Sequence, residues 1–329
     1  MAMTFTLLAA GLALLLVGGT ALVKGASSLA SHFGVSPLVI GLTVVAFGTS
    51  SPELIVNLVG AFRGETSLAF GNVAGSNLAN LGLVLGTAAL ISPVLIQGQI
   101  VRRELPLLLL GTTMLLVMTL DMPLLGAAPV ITASDGLILL LFFSVFVYIT
   151  VGDFMNQRQD ALLLNVEHLE EVVPVPVDGG LVINWLFVVG GIAGLTFGGH
   201  LTISAGADLA TAMGVDPVIV GIVIVAIGTS LPELVTSITA ALRDESDLCL
   251  GNVVGSNIFN GLVVLPLSSL VRPLPVPPGG QLDIFVSILL CLVLIPLFVF
   301  GKARMDRKMG CVMLAAYALY VAYRTSALL

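Results

Sequence analysis

Apolar residues in this chain come in runs of about 20, parted by short clusters of charged and turn-forming residues. The runs fall at 5–23, 37–62, 66–92, 105–120, 133–151, 181–203, 217–242, 247–271, 282–301 and 309–327. A helix of that length spans the hydrocarbon layer of a bilayer, and a helix satisfies all of its own backbone groups there. The pattern predicts an all-α membrane protein with ten transmembrane helices. The first run has no basic flank before it and no A-x-A site after it. It is expected to be a retained helix, not a cleaved leader.

Several runs are interrupted by polar and helix-breaking residues, and the interruptions repeat. At an offset of 180 residues, Val39-Ile40-Gly41 through Gly48-Thr49-Ser50-Ser51-Pro52-Glu53-Leu54 aligns with Ile219-Val220-Gly221 through Gly228-Thr229-Ser230-Leu231-Pro232-Glu233-Leu234. The same offset pairs Arg63 with Arg243 and Glu65 with Glu245. It also pairs Gly71-Asn72-Val73-Ala74-Gly75-Ser76-Asn77 with Gly251-Asn252-Val253-Val254-Gly255-Ser256-Asn257, and Asn80 with Asn260. From Val17 to Gly86, 29 of 70 positions equal their partners without a gap. Apolar composition alone can match Leu and Val but does not match Gly, Pro, Glu, Asn and Arg in register. Five spans separate corresponding points, and five is odd. The second half is therefore expected to insert upside down, giving two inverted-topology five-helix repeats. The expected division is 1–152 for the first repeat, 153–180 for a cytoplasmic loop and 181–329 for the second repeat.

Composition agrees with lipid as the main solvent. Hydrophobic residues make up 57% and charged residues 9%, against about 25% charged in a soluble domain. With the N-terminus outside, Lys24, Arg102, Arg103, Arg158, Arg243, Lys302, Arg304, Arg307 and Lys308 lie on the inner side. Arg63, Arg272 and Arg324 lie on the outer side, a bias of nine to three that follows the positive-inside rule. Both termini then face out. The net charge of −7 with no basic cluster excludes a nucleic-acid partner. Cys249, Cys291 and Cys311, like His32, His168 and His200, have no metal or redox spacing. No cofactor motif is present. Glu167, Glu170, Glu171 and Asp178 read as a solvated loop without EF-hand spacing.

The chemistry is expected at the paired GTS-x-PE segments. Pro52 and Pro232 cannot donate a backbone hydrogen bond, so the helix should break beside each and free carbonyls that hydrocarbon cannot satisfy. Glu53 and Glu233 follow directly. A carboxylate at that depth is costly unless paired or ligated, and two of them converging from the two halves suit one divalent cation. Calcium takes carboxylate, carbonyl and hydroxyl oxygens. All three types are at hand: Glu53 and Glu233, carbonyls near Ala46, Thr49, Ala226 and Thr229, and the hydroxyls of Ser50 and Ser230. The second motif adds Ser76, Asn77 and Asn80, with Ser256, Asn257 and Asn260 as counterparts, at helical spacing. Packing and interhelical hydrogen bonds are the alternative role for those asparagines. Asp121, Asp135, Asp153, Asp208 and Asp283 have no mirrored acid in the other half and are read as outside the site.

At these motifs, GTSSPEL with GNVAGSNLAN and GTSLPEL with GNVVGSNIFN, the chain resembles the calcium/cation antiporter superfamily, best known for its sodium/calcium exchangers. Arg102-Arg103-Glu104-Leu105-Pro106 is similar to the bacterial inner-membrane branch. The resemblance implies ten helices with external termini, calcium ligated by Glu53 and Glu233, and sodium sharing those carboxylates. It implies sodium sites around Ala46, Ser50, Ala226 and Ser230 with Ser76 and Ser256, and a contribution from Thr49 and Thr229. It also implies that the first and sixth helices slide across the other eight. Some members carry Asp where this chain has Asn260, and in one branch that Asp accompanies potassium co-transport. Asn260 leaves two carboxylates, and the sodium stoichiometry stays open. The reading is a sodium/calcium antiporter acting as a monomer in a bacterial inner membrane, with Ca2+ and Na+ as substrates. A proton/calcium or potassium-coupled antiporter using the same carboxylates is the alternative. A channel would differ by its conductance. No HExxH and no nucleophile–base pair points to an enzyme.

Overall fold

Each apolar run is helical where it is described. The computed structural model describes residues 2–121, 126, 128–167, 180–213, 226–300 and 303–326. The helices are α1 (Ala2–Phe33), α2 (Pro37–Thr49), α3 (Ser51–Arg63), α4 (Thr66–Ala79), α5 (Leu85–Ile91), α6 (Leu105–Met118), α7 (Ala133–Glu167), α8 (Leu181–Ala212), α9 (Ala226–Thr229), α10 (Leu231–Leu242), α11 (Ser246–Phe259), α12 (Leu265–Val271), α13 (Gly280–Phe300) and α14 (Arg307–Ser326). π-turns at Asn80–Val84 and Asn260–Val264 join α4 to α5 and α11 to α12. Among the described residues, five helices are long and apolar enough to cross a bilayer, and the bent pair α2–α3 makes a sixth. α10 and the stretch Gly280–Pro296 are apolar but shorter. The start of the expected span 217–242 lies outside the described residues.

Several helices outrun the apolar runs that mark them. α1 reaches Phe33 instead of residue 23, and α8 reaches Ala212 instead of 203. α7 continues to Glu167, into the segment expected to be a loop at 153–180. Its extension, Asp153 to Glu167, contains no Gly or Pro and includes three Leu and two Gln. Hydropathy marks where lipid ends, whereas propensity decides where a helix ends. Lys24, expected in a loop, is an exposed residue inside α1, with its Nζ 5.2 Å from the Phe187 ring centroid.

Pair geometry gives the relation between halves. α1 and α8 are equivalent by sequence offset and run antiparallel, since Gly11 meets Thr202, Gly18 meets Leu195 and Gly25 meets Phe187. A Cβ on Gly191 would come within 2.6 Å of the Leu22 nitrogen, so this seam needs residues without side chains. α2 runs parallel to α11, with Gly41 against Gly251 and Ala46 against Gly255. Because α4 folds back on α3 through Gly64 (φ 86°), the equivalent helices α4 and α11 are antiparallel. The second half is an inverted copy of the first.

Two small sheets mark the two ends of the bundle. β1 (Val94–Leu95) pairs with β4 (Arg304–Met305), and β2 (Val130–Ile131) pairs with β3 (Leu274–Pro275), both antiparallel. Each joins a strand of one half to a strand of the other. Arg307 reaches the Ile91 carbonyl at the first end. Arg272 lies near Gly64 and Arg324 holds the Pro278 carbonyl at the second. Basic residues are thereby sorted onto two faces. The unmirrored acids have local duties: Asp135 caps α7 through Thr132, and Asp283 forms an ion pair with Arg324 at 2.9 Å.

Burial is inverted relative to a soluble protein. Leu141, Leu186 and Phe197 are 68%, 65% and 66% exposed, whereas Glu53 is 0% exposed. α11 is buried from Leu248 to Phe259, so the second motif stands in the middle of the bundle.

Candidate functional site

Two helix breaks build the site. Pro52 and Pro232 have no N–H for the carbonyls of Gly48 and Gly228. The backbone turns at Ser50 (φ −88°, ψ 7°) and Ser230 (φ −86°, ψ 5°), and α2 meets α3 at 43°. Glu53 and Glu233 are the third residues of α3 and α10, where a helix N-terminus favours negative charge. Both are buried, and the Glu53 carboxylate feels the charge of Glu233. Neither has an ion-pair partner among the described residues.

Neutral oxygens surround the pair. Ser50 Oγ donates to Glu233 Oε1 at 2.8 Å, and Ser256 Oγ donates to the same oxygen at 3.5 Å. Among the described residues, Glu233 Oε2 and both Glu53 oxygens accept no hydrogen bond of good geometry. Thr49 Oγ1 lies 3.4 Å from Ser256 Oγ, and Thr229 Oγ1 lies 3.5 Å from Ser76 Oγ. Ser230 is buried with its hydroxyl unpartnered. The Ala46 carbonyl accepts the Ser50 N–H at 3.0 Å and lies 3.3 Å from the Thr49 hydroxyl. Ala226 opens α9, and its side chain lies outside the described residues.

The asparagines knit the two halves. Asn77 Nδ2 donates to the Asn257 carbonyl at 3.3 Å, and Asn257 Nδ2 returns the bond to the Asn77 carbonyl at 3.0 Å. Asn80 Nδ2 donates to Asn257 Oδ1 at 3.0 Å. Asn260 is fully buried with neither amide atom partnered. The π-turn starting at Asn80 packs on α10, and its mirror starting at Asn260 packs on α3. Such turns are rare, and they rotate the residues that follow them. Their presence here is not visible in the apolar periodicity.

Asn57, Ser237, Asn72 and Asn252 belong to the same network, although the motifs alone do not single them out. Asn72 Nδ2 donates to Asn57 Oδ1 at 2.9 Å, and Asn252 Nδ2 donates to Ser237 Oγ at 2.9 Å. The available signal was position. Asn57 and Ser237 lie one helical turn after each glutamate, and Asn72 matches Asn252 at the repeat offset.

The arrangement gathers hydroxyl, carbonyl and amide oxygens around two carboxylates. Among the described residues no three His, Cys, Asp or Glu side chains cluster. A crevice of about 240 Å³ between α3, α8 and α10, lined by Pro52, Ile55, Phe197, His200, Ile203 and others, reaches Gly228 and Thr229.

Comparison with known proteins follows this geometry. The family model described as sodium/calcium exchanger protein matches residues 3–152 and 183–326, leaving out the connection between the halves. CaxA of Alkalimonas amylolytica, an antiporter by name, is 35% identical over 313 residues, covering 94% of this chain and 95% of the relative. The inner membrane protein YrbG of Escherichia coli is 33% identical over 325 residues, covering 98% and 97%. The solved structure of the sodium-calcium exchanger NCX_Mj, soaked with Na+ and Ca2+, superposes with a TM-score of 0.81 at 29% identity, covering 97% of this chain and 98% of that one. The chain belongs to the sodium/calcium exchanger protein family.

Proposed function

We propose that this protein exchanges sodium for calcium by alternating access at the Glu53–Glu233 pair. One observation carries the reading. Two carboxylates are buried in the interior of an apolar bundle, and three of their four oxygens lack a donor among the described residues. Uncompensated charge at that depth is costly, and no Lys or Arg offsets it among the described residues. A bound cation does. Calcium suits two carboxylates with neutral oxygens at roughly 2.3–2.6 Å. The ligand set is Glu53 and Glu233 with Thr49, Thr229, Ser50, Ser230, Ser76, Ser256, Asn80, Asn260 and backbone at Ala46 and Ala226.

Exchange requires that the two cations exclude each other. Sodium is also a hard, oxygen-seeking ion and competes for the same carboxylates. With neither bound, two like charges face each other in low dielectric, which disfavours crossing unloaded. NCX_Mj is named a sodium-calcium exchanger and CaxA an antiporter, and both names support transport over enzymatic chemistry. α1 and α8 form a close-packed pair and are the candidates to move as a unit against the remainder. Both carboxylates come from one chain, so a monomer suffices. The face carrying Arg304 and Arg307 is assigned to the cytoplasm, with 153–180 as the cytoplasmic connection between repeats 1–152 and 181–329, and with both termini outside a bacterial inner membrane.

The test is radiolabelled calcium uptake into proteoliposomes under imposed sodium, potassium or proton gradients. Uptake driven by an outward sodium gradient is expected. Uptake driven by protons without sodium would assign the coupling to protons on the same glutamates. A measurable single-channel conductance would replace exchange with a pore.

A further inference from the structure

Each half carries an asparagine that reaches a threonine of the other half. Thr49 Oγ1 donates to Asn252 Oδ1 at 3.0 Å, and Thr229 Oγ1 donates to Asn72 Oδ1 at 3.3 Å. Both amides are anchored at their other end within their own half. Asn252 Nδ2 donates to Ser237 Oγ at 2.9 Å and to the Glu233 carbonyl at 3.3 Å. Asn72 Nδ2 donates to Asn57 Oδ1 at 2.9 Å, and Asn57 Nδ2 in turn donates to the Ala69 carbonyl at 3.3 Å.

This anchoring settles which way the protons run. A backbone carbonyl only accepts, so the Glu233 carbonyl requires the NH2 end of Asn252, and Oδ1 must face Thr49. In the first half the Ala69 carbonyl requires the NH2 end of Asn57. Asn57 Oδ1 then requires the NH2 end of Asn72, and Asn72 Oδ1 faces Thr229. An amide oxygen cannot donate, so across each contact the threonine is the donor, and for Thr49 the Asn252 oxygen at 3.0 Å is a nearer acceptor than the Ala46 carbonyl at 3.3 Å. A hydroxyl oxygen presents lone pairs to a cation only when its hydrogen is directed elsewhere. With the hydrogen of Thr49 turned to Asn252, its lone pairs remain for the buried polar cluster it forms with Ser256 and Glu233. Thr229 stands likewise toward Ser76.

We propose that Asn72 and Asn252 are positioning residues for the transported cation. Each takes the hydroxyl proton of the threonine in the opposite half, and so keeps that threonine turned lone-pair-first toward the buried polar cluster around the glutamates. The inference rests on the transport reading above. It further makes each half of the site dependent on a side chain of the other.

The test is a kinetic double-mutant cycle of sodium-driven calcium uptake in proteoliposomes. Asn252→Leu and Thr49→Val are each expected to raise the KM for calcium about tenfold, the effect of losing one ligand-orienting hydrogen bond, with the maximal rate held within about twofold. Because both act through one bond, the double variant is expected to be no worse than the poorer single variant. Thr49→Ser, which keeps the hydroxyl, is expected to recover most of the affinity lost in Thr49→Val. The same cycle with Asn72→Leu and Thr229→Val tests the mirrored pair. Additive KM effects, or a loss confined to the maximal rate, overturn the proposal. If Asn252→Leu does not give a monodisperse protein, the contrast of Thr49→Val with Thr49→Ser decides, and equal KM values in the two would overturn it. Glu53→Gln and Glu233→Gln run alongside. Uptake surviving in both defeats the transport reading itself, whereas their loss of uptake with unchanged KM in the asparagine and threonine variants defeats only this inference.

Discussion

The two halves carry the same residues at mirrored positions, yet they make only part of the same set of bonds. The crossed bonds of the scaffold occur twice: Asn77 with Asn257 in both directions, and Thr49 to Asn252 with Thr229 to Asn72. The bonds nearest the charges occur once. Glu233 accepts from Ser50 and Ser256, whereas among the described residues Glu53 accepts from no other side chain and its mirrored donor Ser230 stays unpartnered. Asn80 finds Asn257, whereas Asn260 finds no partner. Hydroxyls supply one proton each, so a few of them cannot satisfy two carboxylates that also repel each other. The frame keeps its pseudo-symmetry, and the shortage of donors falls on the first-half carboxylate. That is where a cation has most to compensate.

The largest expected effect comes from the glutamates. Glu53→Gln or Glu233→Gln should each reduce calcium uptake by more than about 100-fold, since each removes a charged ligand. The difference between halves predicts a second readout. In cation-free detergent, Glu53→Gln should raise the melting temperature more than Glu233→Gln, because it removes the carboxylate with no donor. Equal shifts would break the comparison. Asn260→Asp comes next, placing a third carboxylate where both amide atoms are free. It should shift the preference among sodium, potassium and calcium about tenfold, roughly the 1.4 kcal/mol of one charged ligand interaction. Unchanged competition curves would mean that Asn260 does not touch the ions. A smaller contrast lies in the serines. Ser50→Ala should cost about 1 kcal/mol of cation-free stability, the value of a buried hydrogen bond. Ser230→Ala should cost little without cation and should instead diminish the thermal stabilisation that calcium confers. The smallest effect is at the turns. Gly64 has φ 86° and its counterpart Asp244 has φ 59°, so Asp244→Gly should stabilise by up to about 1 kcal/mol, and Gly64→Asp should destabilise by a similar amount.

Much of this molecule is legible along the chain, for identifiable reasons. Prolines 52 and 232 announce helix breaks because a missing N–H is a local property. Charged residues announce the two faces of the bundle because lipid excludes them from the middle. Helix ends such as Phe33 and Ala212 were not legible from hydropathy, which reports the solvent and not the backbone. Asn72 and Asn252 were visible as repeats but silent as to role, since their partners lie 157 and 203 residues away.

By itself the sequence determined that the chain spans a membrane, that it is doubled, that the doubling is inverted, and that each copy buries one glutamate beside a break. These follow from composition, from a fixed offset and from the parity of the spans between copies. Only the tertiary structure decided which glutamate receives hydrogen bonds, which amides cross between halves, and where π-turns rotate the helices behind Asn80 and Asn260. Those depend on how a small number of donors is shared among acceptors brought together from distant parts of the chain, and two identical motifs carry no information about which of them is served first.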